Sequence, residues 1–139
     1  MKYILETPLK ATIGSQKYKT TIYWRNGVLI TDEPEKLGGK DLGPDPFTLL
    51  LSSLAGCTLA TLRMYIDHKG LDIPEIQVDA NLFQKIEDNE TITYIERKIT
   101  FSQQPDQEIQ QRLLKVAENC PISKILKGKI NIITGLINS

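Results

Sequence analysis

The chain has 139 residues, 40% of them hydrophobic and 24% charged, with 17 Lys+Arg against 17 Asp+Glu. That size and composition suit one soluble domain with its own core. A zero formal charge disfavours nucleic acid or an anionic membrane as the main partner, since both select a basic surplus. It also leaves self-association unopposed by net charge.

The opening segment, MKYILETPLKATIG, is interrupted by Glu6 and Lys10 and lacks the apolar core of a signal peptide, so the expected location is cytoplasmic. In that compartment a pair of cysteines is not expected to form a structural staple, and a disulfide would be transient and catalytic. Tyr3–Ile13 and Tyr18–Trp24, rich in Thr, Ile and Tyr, read as strands separated by a turn at Gly14-Ser15. Asn26-Gly27 is a hairpin signal leading into Val28-Leu29-Ile30. A loop dense in Gly, Pro and Asp follows, TDEPEKLGGKDLGPDP.

Asp45 as N-cap and Pro46 at the first helical position start a long helix, expected to run to about Lys69 and end at Gly70. From Pro46 to Leu62 it carries no charge over 17 residues, at the lower limit for a membrane span. Thr48, Ser52, Ser53, Thr58, Thr61 and Gly56 make a core helix the better reading. Further strands are expected over Ile76–Ile86 and Thr91–Phe101, joined through Glu87–Glu90. A helix begins near Pro105, with Ile109, Leu113, Val116 and Ala117 at helical spacing. Cys120-Pro121 opens a short helix, Ile122–Leu126, and a last strand is expected over Lys129–Ile137. This order predicts a single α+β domain over residues 1–139.

Two cysteines carry the chemical interest. Cys57 shares a helix face with Leu50, Ser53, Leu54, Ala60, Thr61 and Met64, while Leu51, Ala55, Leu59, Leu62 and Ile66 occupy the other. A helix apolar on both faces is expected to be buried on both, which raises a thiol pKa and favours an inert, packed cysteine. Small neighbours (Ser52, Ser53, Ala55, Gly56, Ala60) leave room for close approach. Cys120, before Pro121, falls at a helix start, where exposed N–H groups favour a thiolate. Spacing does not show whether the two sulfurs meet, and simple packing is the alternative reading of both. With His68 the only histidine, no zinc-ligand spacing exists, and neither metal nor cofactor is expected. His68 lies about 16 Å along the helix from Cys57 and cannot activate it.

The stretches DEPEKLGGKDLGPDPFTLLLSSLAGCT, LRMY and ENCPISKIL, between Asp32 and Leu126, resemble the OsmC/Ohr family of osmotically inducible and organic hydroperoxide resistance proteins. The wording resembles a less characterised branch of it. The resemblance implies an intertwined α+β homodimer, with strands flanking a long central helix. It also implies that Cys57 attacks an organic hydroperoxide, that Cys120 resolves the sulfenic acid, and that a dithiol such as a protein-bound lipoyl group reduces the disulfide. Two family features depart. Phe47 stands where peroxidase members have a glutamate. Arg25 is the only arginine before the loop to set against the family's thiolate-holding arginine, with Lys17 a poorer donor. The alternative implied by Phe47 is an apolar-ligand-binding or redox-sensing protein that keeps the fold. Gly38-Gly39 and Gly43 read as turn residues, and Asp32, Glu33, Asp41 and Asp45 as loop carboxylates and a cap. Arg63, six residues past Cys57, points about 120° from the thiol.

Overall fold

The computed structural model describes residues 2–137. The chain divides inside its long helix, at Leu50–Leu51, into two compact units, each described by itself.

In the first unit, β1 (Lys10–Ile13), β2 (Thr20–Trp24) and β3 (Gly27–Thr31) form an antiparallel meander. The expected first strand is shortened. Residues 2–9 make no ladder, Pro8 has no N–H to give one, and Tyr3 and Ile4 are exposed. The β2–β3 turn falls one residue early: Trp24 pairs with Gly27, so Arg25-Asn26 is the loop. Neither residue has a positive φ, so the turn is not the mirror-image type that Asn-Gly favours.

After β3 the chain is organised by Asp32, which is 2% exposed. Its Oδ1 accepts the N–H groups of Tyr18 and Glu33 at 3.1 and 2.8 Å, and its Oδ2 those of Lys40 and Leu42 at 3.2 and 3.3 Å. Asp32 is therefore no member of a solvated acidic cluster; it is the loop's internal anchor. Burial pushes its carboxyl up, but the four amides outweigh burial and hold it below 3.8. A depressed folded-state pKa means the stabilisation is complete above the unfolded value and is lost as pH falls through the folded one. Asp32→Asn is accordingly expected to lower the urea midpoint at pH 7, with the gap from the parent protein closing as the pH falls below about 3.8. A gap that is independent of pH would contradict it.

α1 (Pro46–His68) starts as the sequence requires: Asp45 Oδ1 accepts the Thr48 N–H at 3.0 Å, and Pro46 needs no partner for an N–H it lacks. It stops at Gly70, whose φ of 65° lets the Leu71 N–H reach back to the Ile66 carbonyl at 3.0 Å.

The second unit holds most of α1, the hairpin of β4 (Ile76–Glu87) and β5 (Glu90–Phe101), α2 (Gln107–Glu118) and α3 (Pro121–Lys127). The hairpin turns on Asp88-Asn89 alone, at φ 51° and 65°, the positive values that a two-residue hairpin loop needs. Asp106 caps α2 by accepting the Ile109 N–H at 2.9 Å, and Cys120 occupies the N-cap position of α3. α1 buries a single stripe in this unit: Leu54, Thr58, Leu62 and Ile66, each one turn apart. Leu62 and Ile66 meet Ile73, Leu113 and Ala117 to form the core, against which Ile76, Ile99 and Phe101 pack. Each fully buried leucine contributes about 1.5–3 kcal/mol. α1 is long and apolar enough to cross a bilayer by length and composition, yet this stripe is packed within protein.

Two sequence expectations fail here. α1 is not buried on both faces: Leu50, Ala60 and Met64 are exposed, because one copy of the chain covers only the Leu54–Ile66 stripe. The strand expected over Lys129–Ile137 does not form. The segment has no ladder partner among the described residues, and Ile130, Ile132, Ile133, Leu136 and Ile137 stand in the open. A strand exists only by pairing, and its alternating isoleucines cannot substitute for a neighbour.

Candidate functional site

The site lies entirely in the second unit, where α1, β5 and the start of α3 converge. α1 contributes Cys57 and Thr58, adjacent in sequence and about 100° apart around the helix. α3 contributes Cys120 at its N-cap and Ser123 three residues on, one helical turn away. The 62 residues between the two cysteines fold back so that both lie at the first turn of α3, Cys120 at its N-cap and Cys57 against the Ile122 N–H. Cys57 is half-buried and Cys120 has no exposed surface. The sequence expectation is therefore inverted: Cys120, and not Cys57, is the sheltered sulfur. Both are free thiols.

The first turn of α3 has backbone N–H groups with no helical partner. That of Ile122 reaches Cys57 Sγ at 3.5 Å. Ser123 places its hydroxyl against Cys120, with Oγ 3.1 Å from Sγ. Burial pushes the Cys120 thiol up. Ser123, then Thr58 with its hydroxyl 3.8 Å from the sulfur, and Cys57 more than offset it, and the thiol falls from 9.0 to about 7. The acidity expected from a helix start is present, but it comes mainly from one serine.

The residue that sequence reasoning missed is Arg97. Its Nη1 donates to Thr58 Oγ1 and Ser123 Oγ, both at 2.8 Å, and lies 3.8 Å from Cys120 Sγ. β5 alternates Ile95, Arg97, Ile99 and Phe101 on its half-buried side, with Glu96 and Lys98 on the exposed side. An arginine in register with the core-facing isoleucines was the available signal. Its cross-strand partner is Ala80, which leaves space beside the guanidinium.

The other sequence candidates have ordinary positions. Arg25 lies over the Trp24 ring, 5.4 Å from its centroid. Arg63 ties α1 to the following loop through Asp67 at 3.1 Å and the Ile73 and Pro74 carbonyls at 2.9 and 3.0 Å. Phe47 is exposed. Among the described residues no group of histidines, cysteines and carboxylates is arranged to hold a metal ion. A cavity of about 200 Å³ has Leu54, Ile95 and Leu126 as its apolar wall and Thr93, Arg97, Ser123 and Lys127 as its polar lining; it shares Arg97 and Ser123 with the Cys120 cluster, while neither sulfur lines it.

The fold is that of an α+β protein with two neighbouring free thiols, one on its long helix and one at the N-cap position of α3. The chain belongs to the OsmC-like protein family, whose model matches residues 38–135. No curated protein matches it. Among solved structures it is similar to one from Psychrobacter arcticus 273-4 assigned to osmotic stress and detoxification response, with 24% identity and a TM-score of 0.74 over 90% of this chain and 91% of that one. It is also similar to an organic hydroperoxide resistance protein from Elizabethkingia anophelis, at 22% identity and TM-score 0.68 over 92% of each chain. An OsmC-like protein from Mycoplasma pneumoniae matches at 20% identity and TM-score 0.69, over 98% of this chain and 100% of that one. At these identities the likeness establishes the OsmC-like fold.

Proposed function

We propose that the chain is a thiol-dependent hydroperoxide reductase, acting on organic peroxides through Cys57 and Cys120 as a cytoplasmic homodimer. The observation that carries this reading is the convergence of both thiols on the first turn of α3, the half-buried Cys57 against the Ile122 N–H and the buried Cys120 at the N-cap. The organic hydroperoxide resistance protein of similar fold supports the substrate class.

Cys57 is the attacking thiol because an incoming peroxide can reach it, whereas Cys120 has no exposed surface. Its sulfur takes the terminal peroxide oxygen as the O–O bond breaks. The Cys57 proton goes to the departing alkoxide, giving an alcohol and a Cys57 sulfenic acid. Cys120 sulfur then attacks the sulfenic sulfur; the S–S bond forms, and the hydroxyl leaves as water with the Cys120 proton. A dithiol, such as a protein-bound lipoyl group, restores both thiols and is itself oxidised to a disulfide. The neighbouring cavity, with Leu54, Ile95 and Leu126 in its lining, supports an alkyl peroxide as the substrate.

Homodimer formation is supported by the apolar groups one copy leaves uncovered, Phe47 and Met64 on α1 and Ile132, Ile133 and Leu136 near the end of the chain. With dihydrolipoamide as reductant, the protein is expected to consume cumene hydroperoxide catalytically, much faster than an equal concentration of a free model thiol. Consumption at the model-thiol rate would overturn the enzymatic reading.

A further inference from the structure

Arg97 has a hydrogen-bond arrangement that fixes its own direction. A guanidinium only donates, so Thr58 Oγ1 and Ser123 Oγ both accept from it, and each hydroxyl then has one proton to give. Thr58 gives its proton to the Leu54 carbonyl one turn back on α1, at 2.7 Å. Ser123 faces Cys120 Sγ at 3.1 Å and gives its proton there. Thr58 thus anchors the guanidinium to α1, while Ser123 passes its pull to the sulfur. Among the described residues no carboxylate is in ion-pair contact with Arg97; the pairs are Arg63–Asp67, Arg112–Glu108 and Lys127–Glu118. A half-buried cation without a carboxylate is costly unless a charge of opposite sign can develop beside it, and Cys120 is placed to carry that charge. The other titratable groups near this cluster are Cys57 on α1, Glu118 at the end of α2 and Lys127 at the end of α3, which shares a cavity with Arg97 and Ser123. Glu118 is held low first by its hydrogen bond to Lys127 and also by the Arg97 charge.

We infer that Arg97, acting through Ser123, is a positioning residue that makes Cys120 the departing sulfur when a dithiol opens the Cys57–Cys120 disulfide, so that the reductant adds to Cys57. This rests on the reading of the two cysteines as a redox pair. One thiolate of the dithiol attacks Cys57 Sγ; the S–S bond breaks, and its electron pair leaves on Cys120 Sγ, stabilised by Ser123 and Arg97. The second thiol of the reductant then attacks its own sulfur in the mixed disulfide. Cys57 is released as a thiol and the reductant leaves as a cyclic disulfide. A sulfur that leaves as a stabilised thiolate leaves faster, and the half-buried Cys57 is also the sulfur a reductant can reach.

The test separates this from peroxide chemistry. The disulfide is formed with diamide, without any peroxide, and treated with the monothiol N-acetylcysteine; acid quenching and peptide mass spectrometry locate the adduct. In parallel, the Cys57→Ser protein is titrated by thiolate absorbance to follow Cys120 alone. The adduct is expected on Cys57. Arg97→Gln and Ser123→Ala are each expected to cut the thiolate fraction of Cys120 at pH 7 by up to about tenfold, with Arg97→Lys recovering part of it. Thr58→Val is expected to shift it less. The Arg97→Lys and Ser123→Ala proteins, which preserve the charge or the bulk of the site, keep the test open should Arg97→Gln fold poorly. An adduct on Cys120, or a Cys120 titration unmoved by both Ser123→Ala and Arg97→Lys, would overturn the inference. If the diamide disulfide behaves as expected while peroxides fail to form it, the inference stands and only the peroxidase reading falls.

Discussion

Cys57→Ser is expected to bring cumene hydroperoxide consumption down to the background of the dithiol alone, whereas Cys120→Ser is expected to complete its first oxidation and then fail differently. Without Cys57 the remaining sulfur has no exposed surface, and a peroxide has nothing within reach to attack. Without Cys120 the Cys57 sulfur still takes an oxygen atom but meets no second thiol. Its sulfenic acid should then advance to sulfinic and sulfonic acids as peroxide is added. Mass spectrometry of the Cys57 peptide distinguishes the two: an unmodified Cys120 peptide in the first variant, and successive oxygen additions at Cys57 in the second. Full turnover by the Cys57→Ser protein would reverse the assignment of roles and make Cys120 the attacking thiol.

Gly39→Ala is expected to be the most damaging single methyl group in the N-terminal unit. A Cβ on Gly39 would sit 2.0 Å from the Glu33 carbonyl oxygen and 2.9 Å from Asp32 Oδ1. Neither can give way cheaply, since one is backbone and the other is the carboxylate that holds the loop through Tyr18, Glu33, Lys40 and Leu42. Overpacking of this severity costs about 3 kcal/mol or more. Gly14→Ala is the control. Nothing lies within 4 Å of the added carbon, and the change should fall within about 0.5 kcal/mol of neutral. Urea unfolding of the two variants checks the contrast, and equal midpoints would refute it.

The same loop shows what a sequence can and cannot disclose. The DEPEKLGG wording marks a turn-rich segment, but nothing local says that Asp32 is buried and satisfied by four amides drawn from as far away as Tyr18. The start and stop of the long helix were easier to read, because Asp45-Pro46 and Gly70 act on neighbours within one turn. The β4–β5 hairpin was legible to within a residue for the same reason. Lys129–Ile137 has the alternation of a strand, but alternation reports a preference for a ladder and not the presence of a partner.

At the site, both sulfurs were visible as candidates, and so was the favourable setting of Cys120 at a helix start. Their relative burial was not. The apolar composition of α1 pointed to a sheltered Cys57, while the fold shelters Cys120 and leaves Cys57 half-buried. Arg97 was not foreseen, because the family resemblance directed attention to an arginine in the N-terminal strands. Register alone could have found it: a charge on the same side of β5 as Ile95 and Ile99 needs a reason. The convergence of Thr58, Arg97 and Ser123 on Cys120 is a product of tertiary packing, and no spacing rule links them.

The central claim is that Cys57 and Cys120 are a working redox pair, and peptide mapping of the reduced protein after one equivalent of cumene hydroperoxide tests it most directly. The account predicts a Cys57–Cys120 disulfide within one chain, formed with one peroxide consumed per disulfide. Two free thiols that persist while the peroxide remains intact would contradict it.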